Sequence, residues 1–340
     1  MKFSRRKTTA RFKAALARAA TSLMLILGAP AFAATAPGVF HMLRPGVTDA
    51  EIQAALDALP DGGGIVILPP GTITLTRPIV IRRSWQTLRG AGTNTVLCVA
   101  DGANCPALII GEPVNHPGHD VTHVAVESLF IDGNRHAQQR ELWREHGEGS
   151  EIRNNGITVQ RVRDSVIENV VTARCRSGGL VTTLGVQGLV VRGLESFDNQ
   201  YDGLACYATT ASEFVDLNLH DNPCAGISLD WNFSGNTVSN AVLNDNDLGI
   251  FMRDSRGNRF FNVAIHKSRN HGVFMAQTET AQWTACVNNS FTNLQATNCG
   301  GAAFRVNDAS CRNNVITSAR FENNQHGDLS LARPKLIVLQ

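Results

Sequence analysis

A chain of 340 residues that is 18% charged, 43% hydrophobic and 6% aromatic, with 31 Lys and Arg against 29 Asp and Glu and a formal net charge of +2, is neither a disordered tail nor a protein held to nucleic acid by bulk charge. Its 30 glycines, abundant asparagines and few helix-favouring runs point away from helical architectures. They favour a turn-rich β architecture, a class that stays a single domain beyond about 200 residues.

The basic charge is concentrated at the start. Residues 1–20 carry Lys2, Arg5, Arg6, Lys7, Arg11, Lys13 and Arg18 with no acid, and the uncharged run Ala19–Ala33 closes on Ala31-Phe32-Ala33. This is the pattern of an export signal over residues 1–33. The uncharged run is shorter than the roughly 18 residues a membrane span requires, and no later run approaches that length. Removing 1–33 takes away seven basic residues and no acid, leaving 24 basic against 29 acidic groups, a charge of −5 over 307 residues. A secreted or periplasmic protein is expected, with residues 34–340 as one domain. Its cysteines, at 98, 105, 175, 206, 224, 286, 299 and 311, are even in number, so disulfides are the default in an oxidising compartment. No CxxC pair is present, which argues against a structural zinc site. Cys98 and Cys105 flank a short turn and can close a small loop.

An internal repeat decides the architecture. Aligning on a glycine followed by alternating apolar residues gives NNGITVQ, SGGLVTT, YDGLACY, CAGISLD, DLGIFMR, NHGVFMA, GAAFRVN and QHGDLSL. The anchors are Gly156, Gly179, Gly203, Gly226, Gly249, Gly272, Ala302 and Gly327, separated by 23, 24, 23, 23, 23, 30 and 25 residues. Each unit holds a second β-rich run, with Asn169, Asn240, Asn262 and Asn293 at matching places and no helical period. Units of this length built from short strands predict a parallel β-solenoid in which each unit is one coil of about 23 residues. Leucine-rich repeats are excluded by the missing Leu-x-x-Leu-x-Leu spacing.

With TDAEIQAALDALPDGGGIVILPPGTITLTRPIVIRRSWQTLRGAG ahead of these units, the chain resembles the right-handed parallel β-helix superfamily that includes pectate lyases. The resemblance covers about residues 47–335 and implies an all-β, single-stranded right-handed β-helix with an N-terminal capping helix. Thr48 and Glu51 form a capping box for that helix. The resemblance also implies that the asparagines stack in the turn between second and third strands. Finally, it implies that the anchor glycine opens the first strand, whose outer face is the substrate groove. Residues one and three places after the anchor then point inward: Ile157, Val159, Leu204, Cys206, Ile227, Leu229, Ile250, Met252, Val273 and Met275 are all apolar or Cys.

The fourth place after each anchor faces out and reads Gln160, Thr183, Tyr207, Asp230, Arg253, Ala276 and Val306. Tyr207, Asp230 and Arg253 are thereby neighbours on successive coils about 4.8 Å apart. Asn155, Asp202 and His271 precede their glycines, and Trp231, Asp254 and Gln277 follow the fourth place. The chain has 2 tyrosines, Tyr201 and Tyr207, and both flank Gly203. Tyr207, Asp230, Arg253 and His271 are the candidate catalytic residues, and Asp202, Trp231, Asp254 and Gln277 the candidate substrate-binding ones. Their convergence on one cavity is expected. An exposed Asp230–Arg253 ion pair would alone stabilise by at most about 1 kcal/mol. Phe251, Phe274 and Phe304 occupy the second place and form either a sugar platform or an aromatic ladder covered by a loop. Two segments can wall the face: 135–152, with Glu141, Trp143, Arg144, Glu145, His146 and Glu148, and an insertion at 277–287. Cys286 and Cys311 fall in corresponding turns and are the preferred long-range disulfide.

The superfamily resemblance implies a secreted enzyme acting on polysaccharide, and the fold does not choose its chemistry. Proton abstraction beside a uronate carboxylate, by a lyase or C5-epimerase, needs a base, a cation and sometimes an acid. Tyr207 or His271 supplies the base or acid, and Arg253 the cation, a residue type assigned as the base in some relatives of this fold. Asp202, Asp230 and Asp254 can instead hold Ca²⁺ for the neutralising role. A glycoside hydrolase would pair Asp230 with Asp254. A noncatalytic glycan-binding or cell-surface solenoid is the third reading. The terminal ARPKLIVLQ reads as a last strand with no obvious cap, so a homo-oligomer through trimerisation or end-to-end packing is expected.

Overall fold

The computed structural model of the protein describes residues 38–142, 152–278 and 285–339. The expected export signal, the 143–151 part of the charged segment with Trp143, Arg144, Glu145, His146 and Glu148, and the 279–284 part of the insertion lie outside the described residues.

The described chain winds as a parallel β-solenoid of about 12 coils. Sixteen strands form a long sheet, ten a second sheet and six short ones a third, with every pairing parallel. Near the start, helix Asp49–Asp57 carries the Thr48–Glu51 capping box, in which each residue's side chain accepts from the other's backbone N–H. Ile52 and Leu56 of this helix are fully buried in the hydrophobic core. Asp49 accepts from the backbone and hydroxyl of Thr76 and from the Arg77 N–H, and these bonds hold its carboxyl below the usual range despite the opposing effect of burial.

The ten-stranded sheet contains the strands that follow the repeat glycines. Ile157 pairs Leu180, which pairs Leu204, and the register continues through Ile227, Ile250 and Val273. All ten residues expected to point inward along these strands are fully buried. The glycines exist because the chain passes very close to its neighbours there. A Cβ on Gly203 would stand 2.9 Å from Asn222 Nδ2, and one on Gly226 2.9 Å from Asn246 Nδ2.

Those asparagines belong to one of two buried amide ladders. In the first, the backbone N–H of Cys175 donates to Asn199 Oδ1, that of Asn199 to Asn222 Oδ1, and that of Asn222 to Asn246 Oδ1. In the second, the N–H groups of Ser212, Asn236, Asn258 and Asn289 donate in turn to Asn236, Asn258, Asn289 and Asn314. Three of the four asparagines in the column expected from the sequence, all but Asn169, form a third ladder on the exposed surface. Asn240, Asn262 and Asn293 each sit at positive φ in the bend of an eight-residue strand. There Asn262 donates to Asn240 and Asn293 to Asn262, at 3.1 and 2.7 Å.

The expected register slips by one residue in the last coils. Val273 pairs Phe304, which pairs Leu329, so Ala303 and Asp328, not Ala302 and Gly327, stand level with Gly272. The coil after Gly272 is therefore 31 residues long. Phe304 does not face outward; it is fully buried and meets Phe291 edge-on at 5.1 Å, while Phe291 stacks on Phe260 at 4.5 Å. Val306 is likewise a core residue, level with Met275. All eight cysteines are thiols, so the expected disulfides are absent from this structure.

Candidate functional site

The outer face of the ten-stranded sheet gathers one polar cluster at the downstream ends of its central strands. Tyr207 is the direct Cα partner of Asp230, and Arg253 pairs with Asp230 through its Nη2. The Asp230 carboxylate is 1% exposed, and the Trp231 N–H donates to its Oδ1 at 2.8 Å. Burial raises its pKa, and the Arg253 charge opposes that rise. Arg253 also lies over the Phe251 ring at 5.2 Å, and Trp231 leans against Tyr207 at 5.7 Å.

A second group stands at the upstream ends of the same strands. Asp202 accepts from the Ala225 N–H at 2.8 Å and feels the charge of Arg153, which lies over the Tyr201 ring at 4.8 Å and 3.5 Å from the buried Glu141. Burial pushes the Asp202 carboxyl up to about 6. Tyr207 links the two groups. Its hydroxyl reaches Ser228 and senses Asp202, Arg153 and Asp230, and burial, with Asp202 second, raises its pKa. Tyr207 is therefore a neutral hydroxyl within electrostatic reach of a carboxyl pushed up to about 6.

Because the folded state holds the Asp202 proton from its ordinary 3.8 up to about 6, wild-type stability falls through that window relative to a variant that cannot ionise. Asp202→Asn should be more stable than wild type at pH 7.5 by about 1–2 kcal/mol, after discounting for partial exposure. The gain should vanish toward pH 4. Urea denaturation across this range checks it, and a gap independent of pH would contradict the titration.

The other candidates are placed apart. His271 lies at the upstream edge, five residues before Ala276, which follows Arg253 in the stack. Strand geometry puts it roughly 20 Å from Tyr207, so the four candidate catalytic residues do not converge. Its Nδ1 accepts from the Ala302 N–H at 2.9 Å, its ring stacks on Phe274 at 5.7 Å, and burial lowers its pKa. Asp254 is buried, accepting from the Asn232 N–H and from Arg256, both at 2.8 Å. Gln277 is exposed, with its N–H on Asp308 and its side chain on Ser310. Asn155 bonds Thr158 and Gly178, and Gln160 bonds the carbonyls of Glu112 and Val114, so both are built into the wall.

Arg153 and Ser228 were missed by the sequence reasoning. Ser228 occupies the second outward place beside the Tyr207 coil and was open to detection by the same register. Arg153 precedes the first anchor glycine and carries no repeat signal.

Residues 131–333, more than half of the chain, match the family described as periplasmic copper-binding protein (NosD). The chain belongs to the NosD family. As a NosD-family protein it sits in a periplasmic family, in agreement with the secreted or periplasmic location expected for it. No helix among the described residues is long and apolar enough to cross a membrane. Its fold is similar to ORF18 of Geobacillus virus E2, with TM-score 0.64 and 15% identity over 86% of this chain and 58% of that chain. It is similar to an alginate lyase of Paenibacillus sp. str. FPU-7, with TM-score 0.63 and 13% identity over 88% and 99%. It is also similar to the mannuronan C-5 epimerase AlgE6 A-module of Azotobacter vinelandii, with TM-score 0.57 and 16% identity over 86% and 93%. This NosD-family chain thus spans 58% of the length of the viral protein. No curated protein matches its sequence.

Copper is held by clusters of Cys, His and Met, and calcium by clustered carboxylates. Among the described residues no group of three or more His, Cys, Asp or Glu side chains could hold a metal ion. Asp230 and Asp254 are instead engaged by Arg253 and Arg256. Among the described residues no such cluster of His, Cys, Asp and Glu fits either metal.

Proposed function

We propose that this NosD-family protein acts on a uronate-containing polysaccharide by removing a proton beside the sugar carboxylate, as a lyase or C5-epimerase. The observation that carries the proposal is that Asp202, with its carboxyl pushed up to about 6, lies within electrostatic reach of the neutral Tyr207 hydroxyl on the same groove face. Environments that push two groups apart in this way separate a base from an acid. Asp202, ionised above pH 6, takes the C5 proton. The Arg253 guanidinium, anchored on buried Asp230, faces the uronate carboxylate and stabilises the charge that develops. In elimination the electron pair forms the C4–C5 double bond, the C4–O4 bond breaks, and Tyr207 gives its proton to O4. In epimerisation Tyr207 gives that proton to C5 from the opposite face. Trp231 is proposed to contact the sugar beside Tyr207. Solved proteins of similar fold include ones named alginate lyase and mannuronan C-5 epimerase, which supports the substrate class.

The purified protein is expected to generate ultraviolet absorbance of an unsaturated uronate, or solvent deuterium at C5, from alginate, pectin or a glycosaminoglycan. Neither signal from any of these polymers would overturn the proposal. A glycan-binding solenoid is the second reading, favoured by burial having raised the Tyr207 pKa away from a base. The hydrolase reading is weakened because Asp230 and Asp254 are buried and engaged, whereas paired carboxylates must flank the scissile bond.

In the same proposal, Cys286 and Cys311 form a disulfide in the oxidising periplasm. Both are fully buried, and their thiols hydrogen-bond to each other. Peptide mapping without reductant should recover the 286–311 link; two alkylated thiols at these positions would refute it. A homo-oligomer through the terminal strand Ile337–Leu339, whose Val338 and Leu339 are exposed, remains part of the proposal.

A further inference from the structure

Downstream of the Tyr207 cluster the groove face changes character. The second outward place on successive coils reads Ser228, Phe251, Phe274 and Arg305, each the Cα partner of the next. On the preceding coils this place holds Thr158, Val181 and Ala205, all buried. Phe251 and Phe274 are instead partly exposed, and their rings stack at 5.8 Å with an interplanar angle of 14°. His271 backs Phe274 at 5.7 Å, and Arg253 covers one end of the step from over Phe251.

The cation beyond the step is available to a ligand. Arg305 Nη2 bonds Asn307 Oδ1 at 3.1 Å, and no carboxylate pairs with Arg305 among the described residues. Arg253, by contrast, is held by Asp230. A pyranose presents a flat C–H face that packs on aromatic rings. Coils about 4.8 Å apart place a charged group on such a sugar within reach of the next coil's side chain.

We propose that Phe251, Phe274 and Arg305 form a subsite for one uronate residue of an acidic polysaccharide, with the sugar's apolar face across the exposed edges of the two stacked rings and its carboxylate on the guanidinium. This rests on the uronate reading above and extends it to a second place on the groove. It also assigns Arg305 as a specificity-determining residue selecting acid over neutral sugar.

Calorimetric titration of the full chain with hexasaccharides of mannuronate and of galacturonate, and with cellohexaose as the neutral probe, tests the proposal. Wild type should bind one of the acidic hexasaccharides in preference to cellohexaose. Phe274→Ala should weaken that binding roughly tenfold, and Arg305→Gln should do the same for the acidic ligand alone, the scale of one ring or charge contact. Phe274→Leu, which keeps the bulk of the side chain, controls for folding and should melt as wild type does while still binding more weakly. Equal affinities in wild type and both Phe274 variants, equal loss of acidic and neutral ligand in Arg305→Gln, or no acidic binding by wild type would each overturn the subsite. Binding that depends on Phe274 and Arg305, with no product formed from any uronate polymer, would sustain the subsite and overturn the catalytic reading.

Discussion

Tyr207→Phe is expected to lower turnover of the uronate polymer by roughly 10²- to 10⁴-fold, the range lost with a positioned proton donor. Affinity for oligosaccharide should remain near wild type. The substitution removes a single hydroxyl whose partner is Ser228, and it leaves the ring against Trp231 in place. A fall in kcat with little change in melting temperature is therefore the specific signature. Tyr207→Phe with undiminished kcat would remove Tyr207 from the chemistry. Equal losses in kcat and stability would make it a packing residue only.

The largest structural effect is expected at Asn258. Its Oδ1 accepts the backbone N–H of Asn236, its Nδ2 donates to the carbonyl of Phe233, and both bonds are buried. Asn258→Leu leaves the buried Asn236 N–H with no partner and removes the amide contacts to Asn236 and Asn289, while the Phe233 carbonyl keeps its bond within the sheet, and should cost about 1–3 kcal/mol. Asn262 bonds its neighbours through the same amide chemistry on the exposed ladder. There water replaces the lost partner, so Asn262→Ala should cost under about 1 kcal/mol. Equilibrium denaturation of the two variants checks the contrast, and comparable losses would show that burial does not set the difference.

The solenoid was legible because its glycines are required by contact. Gly203 and Gly226 lie against asparagine amides at a distance no Cβ tolerates, so glycine recurs wherever a coil repeats. The signal fails at Ala302-Ala303, where two small buried residues stand and either fits the glycine's place. The sequence contains nothing there to choose between them, and the slip placed Phe304 on the wrong face and hid Arg305. The Asp230–Arg253 pair was legible because a spacing of 23 residues stacks side chains one coil apart. His271 belongs to the same spacing, but the period fixes position across coils and leaves distance along the strand uncounted. The near-neutral titration of Asp202 arises from how densely protein surrounds its carboxyl, which no one-dimensional pattern encodes. The buried asparagines Asn236, Asn258 and Asn289 lie between strands and Asn314 opens the strand Asn314–Thr317, places where asparagine is frequent for its conformational tolerance alone. Their pairing across coils is visible only once the coils are stacked.

The two buried ladders have a direction. In every rung the earlier coil supplies the backbone N–H and the later coil supplies the amide oxygen that receives it. A coil laid down alone therefore holds an open donor that its own residues do not close, and closure arrives with the next coil. The ladders thus give the solenoid axis a polarity that the symmetric backbone pairing of its sheets does not. Each coil closes the donor of the one before it and leaves one of its own for the one after, so the two ends of the stack are chemically unlike.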